Sequence, residues 1–353
     1  MHLCPFIVAF KHLKKILSDT QRGEILKKFI NGAENLETET ARGMALAKPN
    51  ILRQLPGCNV MVRQNKKTDR VALVFGCGSG HEPAPNGYVG YGMLDAGIPG
   101  KLFSSPTPDM ILKAIKEVNN EAGVLCMIVN YTGDVLNFRM AIEMAQMEGI
   151  AVESVIIADD VATQKTKSVG RRGLAGVMLV MKVAGAEAEM GSDLYRVKEV
   201  AEWAASGLRT IGVACRPCII PTDGEPSFEL GETEMEIGMG LHGEPGVLRC
   251  NMMSAKETVA QMLELILLDC NYENSEVVVL INGLGGTPPM ELYVVNECVH
   301  DYLSAQGIKI YDTMIGNFMT SLEMGGFSIS LMRLDPHLKA LYDATAVTSI
   351  IRR

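Results

Sequence analysis

Two of the six histidines sit in glycine-rich loops, and one aspartate follows an apolar run into a third loop. His81 lies in GCGSGHEPAPNGYVGYG, where six of the seventeen residues from Gly76 to Gly92 are glycine. His242 lies in GMGLHGEPG, Gly238 to Gly246, again with Glu-Pro close behind. Asp134 lies in NYTGDVLNF, directly after GVLCMIV. An imidazole is largely neutral near pH 7, so it can act as a nucleophile or as a general acid or base. A carboxylate within reach can take the proton released by an attacking hydroxyl. Small residues around such groups let main-chain N–H groups approach a ligand closely. Each residue also has a plainer use. A lone loop histidine is commonly solvated or structural, and an aspartate between a strand and a helix is commonly an N-cap. Two histidines in matched settings favour function for that pair. The two uses of Asp134 can coexist.

A nucleotide loop is the obvious reason for such glycines, and the spacing rejects it. A dinucleotide fingerprint needs G-x-G-x-x-G, but its last glycine position is His81. The acid that should end a second strand is missing, since Asp95 lies in GMLDAGIPG. No Gly-Lys-Ser/Thr triplet of a Walker loop occurs. Cys215 and Cys218 have no second pair at zinc spacing and read as structural thiols.

The elements that must hold these loops alternate along the chain. RVALVFG, GVLCMIV and AVESVIIA read as buried strands. PTPDMILKAIKEVNNEAG reads as a helix, with Thr107 suited to the N-cap, Pro108 to the first turn and Asp109 to the positive end of the dipole. VLNFRMAIEMAQMEG reads as a second helix, and the spacing of Met140, Met144 and Met147 predicts a core face for them. Two further helices follow, about 174–190 and 193–206. A second series then runs RTIGVAC, ETVAQMLELILLD, SEVVVLING, PPMELYVVNECVHDYLSAQG and GFSISLMRL. This order predicts an α/β fold of two α/β domains, each with a mostly parallel sheet flanked by helices. Residues 26–206 form the expected N-terminal domain and 207–353 the C-terminal one, with the tail able to pack back on the first. Residues 1–25 are expected to be an extension outside the fold, because Arg22-Gly23-Glu24 could be encoded by a purine-rich ribosome-binding sequence, placing the natural start near Leu26.

Composition narrows the class. The 353 residues carry a net charge of −8, which argues against a nucleic-acid partner. Nine cysteines without a framework fit a reducing cytosol, so a cytoplasmic protein is expected. The apolar runs are strand-sized, far short of the roughly 20 residues of a membrane span. The N-terminal MHLCPFIVAFKHLKKIL carries its basic residues after its apolar stretch, unlike a signal peptide.

GCGSGHEP, FSSPTPD, NYTGDVLNF, GRRG, EMEIGMGLHGEPG and GFSISLMRLD, in that order, resemble the K subunit or K domain of dihydroxyacetone kinases. The resemblance runs from about Lys27 to Asp335. It implies that dihydroxyacetone binds as a covalent hemiaminal on Nε2 of His242. It implies a substrate-gripping loop at Gly78, Ser79, Gly80 and His81, with His81 as general acid/base or hydrogen-bond partner and Asp134 as base. It implies no cofactor on this chain. ATP or ADP and Mg²⁺ would sit on a separate L subunit, recharged in bacteria by a phosphoenolpyruvate relay through the phosphotransferase system's phosphohistidine protein. It also implies a homodimer. Two positions depart from the pattern. Val129 stands where the family often has a substrate-side lysine, which opens the alternatives of a longer ketose such as erythrulose or a non-catalytic ketone-sensing coactivator. Cys77 replaces a glycine. Arg171 and Arg172 of GRRG, read as an exposed pair, suggest a place for a partner to dock.

Overall fold

The computed structural model describes residues 27–163 and 170–353, so the expected N-terminal extension lies outside the described residues. Fourteen strands and eight α-helices are described. The first half contributes α1 (Leu36–Ala47), β1 (Leu52–Gln54), β2 (Met61–Arg63), β3 (Ala72–Ser79), β4 (Gly90–Tyr91), β5 (Ala96–Leu102), α2 (Pro108–Val118), β6 (Val124–Val129), α3 (Thr132–Met147) and β7 (Val152–Ile157). Then come α4 (Val177–Glu189) and α5 (Leu194–Ser206). The second half adds β8 (Leu208–Arg216), β9 (Glu234–Ile237), β10 (Leu248–Asn251), α6 (Ala255–Asp269), β11 (Glu276–Gly283), α7 (Pro289–Ala305), β12 (Lys309–Gly316), β13 (Gly325–Leu334), α8 (Pro336–Asp343) and β14 (Val347–Thr348).

The first sheet has the order β1-β2-β5-β3-β6-β7. Its β5-β3-β6-β7 portion is parallel, as the strand-helix alternation requires. Both β3 and β6 are buried along their whole length, which is why they read as unbroken apolar runs. At the start of α2, Thr107 holds the N-cap position without a side-chain capping bond, and Pro108 opens the helix.

The second sheet has the order β10-β9-β8-β13-β11-β12. The α/β reading holds, but this sheet is mixed rather than mostly parallel. Only β11 and β12 pair in parallel; β13 runs antiparallel between β8 and β11. The connection from β12 to β13 covers only residues 317–324. That is too short for a crossover, which takes about a dozen residues or more, so the chain must reverse.

Gly207 is the C-cap of α5 and directly precedes β8. One cluster of buried side chains nevertheless spans both sides of it. Leu73 and Phe75 of β3, Met127 of β6, Val278 and Leu280 of β11 and Met332 of β13 all belong to it, together with α4. Helix α4 is buried from Val177 to Ala188, so it is enclosed on every side, and its side chains join the cluster drawn from both sheets. The C-terminal strand β14 pairs antiparallel with β4 of the first half.

Helix α3 corrects one expectation. Met140, Met144 and Met147 are exposed, by 55%, 39% and 86%. The buried face carries Phe138, Ala141, Ile142 and Ala145 instead. Both sets have helical spacing, and only packing decides which one turns inward.

Candidate active site

His81 leaves the carboxyl end of β3, where ligands of parallel sheets usually bind. The glycines before it are required by close contacts. A Cβ on Gly78 would stand 2.8 Å from the backbone nitrogen of Ser104. Gly80 has φ +97°, and a Cβ there would lie 2.7 Å from the ring of Phe103. Ser79 is buried, and its hydroxyl donates to the carbonyl of Gly100 at 2.7 Å. The 317–324 connection of the second sheet grips the same loop. Leu322 N–H donates to Gly80 O at 2.8 Å, and Thr320 Oγ1 donates to Glu82 O at 2.8 Å.

His242 follows β9 in the other sheet, and its ring meets that of His81. Their Nε2 atoms are 3.0 Å apart. His81 Nδ1 lies 2.7 Å from the carbonyl of Thr320, which can only accept, so this nitrogen carries the proton. His242 Nδ1 lies 2.8 Å from Glu244 Oε1, and the same reasoning places its proton there. With both rings neutral each Nε2 presents a lone pair to the other, and a proton on either one turns the contact into a hydrogen bond. Burial, with His242 adding to it, pushes His81 down to about 3, so the His81 ring stays neutral at physiological pH. Burial pushes Glu244 up, but the hydrogen bond and charge of His242 outweigh it and hold this carboxyl at about 2. Aromatic rings wall the pair: Phe103 and Tyr131 stand with centroids 5.3 and 5.1 Å from the His242 ring.

Asp134 sits in the first turn of α3, not at the cap, which is Tyr131. The N-cap reading thus gives way to a buried carboxylate in the site. Burial raises its pKa to about 6, while a hydrogen bond from Ser105 and the charge of His242 pull it down. Its Oδ1 has no protein partner, and neither has the buried hydroxyl of Tyr131. The structure thus gathers His81, His242 and Asp134, from three loops and both sheets, into one place. Val129 ends β6 with its side chain in the core, facing Gly173. Cys77 is also buried, and burial raises its thiol pKa, so it is not poised to react.

Several contributors gave no clear sequence signal. Thr320 is distant in the chain and acts through its carbonyl. Glu244 stands two residues after His242, a spacing that could have found it. Arg172 corrects the reading of GRRG as an exposed pair. It is buried, its Nε donates to Asp160 Oδ2 at 2.7 Å, and its Nη2 donates to Gly238 O at 2.6 Å. It thereby ties the His242 loop to the first sheet. Arg171 pairs with Asp269. Among the described residues, no group of three or more His, Cys, Asp or Glu could hold a metal ion. No described helix is long and apolar enough to cross a membrane.

Comparison with known proteins places this arrangement. Residues 42–350 match the Dak1 domain family. The chain is 42% identical over 312 residues to the PTS-dependent dihydroxyacetone kinase 1, dihydroxyacetone-binding subunit DhaK, of Listeria innocua, covering 88% of this chain and 95% of that one. It is 37% identical to the PEP-dependent dihydroxyacetone kinase, dihydroxyacetone-binding subunit DhaK, of Escherichia coli, covering 92% and 98%. Among solved structures, the native dihydroxyacetone kinase of C. freundii superposes with a TM-score of 0.85 at 34% identity, over 93% of this chain and 60% of that one. The dihydroxyacetone kinase operon co-activator DhaQ gives 0.83 at 34% identity, over 87% and 95%. A match of this extent, on a chain that assembles two histidines and an aspartate at one site, makes this protein a member of the Dak1 family and a dihydroxyacetone kinase subunit.

Proposed function

We propose that this chain holds dihydroxyacetone covalently on His242 and presents its hydroxyl to a phosphoryl donor carried by a separate L subunit. The observation that carries this reading is the opposed pair of Nε2 atoms at 3.0 Å. With both Nδ1 protons fixed, the His242 Nε2 lone pair has no donor to receive, and an electrophilic carbon would satisfy it. Attack on the ketone forms one N–C bond and moves the C=O π pair onto oxygen, which takes a proton from solvent. No water is lost. The positive charge left on the ring faces Glu244, which stays ionised to about pH 2. His81 Nε2 is then a free acceptor beside the new hydroxyl.

Asp134 suits the next step. Above its pKa of about 6 it is ionised, yet it is more basic than an ordinary carboxylate. As the captured hydroxyl attacks phosphorus, its proton passes to the unpartnered Oδ1. Capture at carbonyl carbon rejects glycerol, which has none, more sharply than a size-based pocket would. It also converts a loose encounter into an aligned one. ATP or ADP and Mg²⁺ belong to the L subunit in this reading, and positioning is this chain's share of the work. The relatives named as PTS- and PEP-dependent kinase subunits support a phosphotransferase-system donor. A cytoplasmic setting and a homodimer complete this reading.

A second reading, a ketone-sensing coactivator, is favoured by the likeness to DhaQ. Val129 leaves erythrulose as a further substrate to test. Intact-protein mass spectrometry with dihydroxyacetone, in buffer without borohydride, tests the capture. The expected result is a mass gain of one whole ketone, abolished in His242→Ala. No adduct on the wild type, or one retained by the variant, overturns the mechanism. Adduct formation without phosphorylation in the presence of a competent L subunit would select the sensor reading.

A further inference from the structure

A second cavity, of about 250 Å³, lies beside the C-terminal segment. Of its ten lining residues three are cations, Lys182, Arg352 and Arg353, and none is acidic. The remaining wall is largely apolar, with Met178 and Phe318 among its residues. Lys182 is 3% exposed on helix α4. Among the described residues its ammonium makes one hydrogen bond, to Leu341 O at 2.7 Å. That contact neutralises no charge and uses one of three N–H donors. A buried ammonium is costly unless an anion compensates it.

The nearby acids are committed elsewhere. Asp312 and Asp343 accept from Arg353 at 2.7 and 2.6 Å. The main chain of Arg353 is tied in both directions to Ala346. Burial and the Arg353 charge lower the lysine to about 8, against a smaller upward pull from the Asp343 charge. An anion in the cavity would compensate the ammonium directly. A dianion suits several cations better than a monoanion does, and lysine is a common point-charge partner of phosphate. The apolar wall leaves room for a short carbon chain.

We propose that this cavity binds a small phosphate monoester, with its phosphate held by Lys182 and Arg352 and its carbons on Met178 and Phe318. This site is independent of the covalent capture at His242.

Isothermal titration of the full chain at low salt, with glycerol 1-phosphate, inorganic phosphate and glycerol as probes, tests it. The ester should bind, inorganic phosphate should bind more weakly, and glycerol should not bind. Lys182→Met should abolish binding. Arg352→Glu, at an exposed position, should weaken it about tenfold or more, the scale of one reversed charge at the rim, and is the deciding variant if Lys182→Met fails to fold. His242→Ala should leave the titration unchanged. No ester binding at millimolar concentration, or unchanged affinity in Arg352→Glu, overturns the proposal. Loss in His242→Ala overturns it too, by placing the ester in the catalytic site. Equal affinity for inorganic phosphate overturns the part that assigns the carbon chain.

Discussion

Nε2 of His81 and Nε2 of His242 face each other at 3.0 Å while the opposite nitrogen of each ring is bound to an acceptor. One ring comes from each sheet. With one proton between them the two rings share a hydrogen bond; without it, Nε2 of His242 keeps a lone pair that no donor in the site satisfies.

Glu244→Gln is the direct probe of the charge behind His242. A glutamine oxygen can still accept from Nδ1, so the ring orientation survives. The negative charge is lost. Adduct formation should fall by about 10- to 100-fold, by analogy with the outer partners of metal-bound imidazoles. The pH profile of adduct formation should move as well. A fall in amount with an unmoved profile would mean that Glu244 only props the ring.

Asp134→Asn should separate activity from stability. Burial raises this carboxyl from 3.8 to about 6, so the folded state holds the proton more tightly than the unfolded chain. Its contribution to stability is therefore present below about pH 4 and lost as the pH rises through about 6. At pH 7 the variant should be more stable than the wild type, by up to about 3 kcal/mol, and the gap should close near pH 4. Phosphorylation should be lost. Denaturant unfolding at the two pH values checks this, and a variant less stable at pH 7 would refute it.

Arg172→Leu removes one partner of a buried ion pair and leaves Asp160 uncompensated. The expected loss is about 3–5 kcal/mol, read by urea denaturation. Ketone capture should weaken in the folded fraction, since Gly238 O loses its anchor.

Gly80→Ala meets two penalties, a left-handed backbone and the Phe103 ring. The expected cost is about 1–3 kcal/mol. Phe103 also borders His242, so the adduct should weaken along with the melting temperature. Gly191→Ala serves as the comparison: its φ is +89° and a Cβ there meets nothing within 4 Å. It should lose stability without losing capture.

Much of the frame was legible because buried strands read as apolar runs. β3, β6, β8, β11 and β13 follow that rule, whereas β7, expected to be buried, is a half-exposed edge strand. β5, AGIPGKL, did not, because glycine and proline mimic a loop. Its glycines are set by neighbours: a Cβ on Gly100 would stand 2.0 Å from Ser104 O. β12 lies at a sheet edge, partly exposed throughout, so it has no continuous apolar signature. Of the site, the two histidines and Asp134 stood out by type and setting. Thr320 did not, because a backbone carbonyl leaves no mark on residue identity. Arg172 was misread because a charge in a glycine-flanked turn reads as solvated, and only its partner Asp160 explains its burial.

Helix α4 is buried along nearly its whole length, within a cluster of side chains drawn from both halves. Swinging one half of the molecule away from the other would wet that helix on all sides. On the proposed mechanism the ketone should therefore reach His242 without any jaw-like opening of the two halves. The two halves should also melt in a single transition.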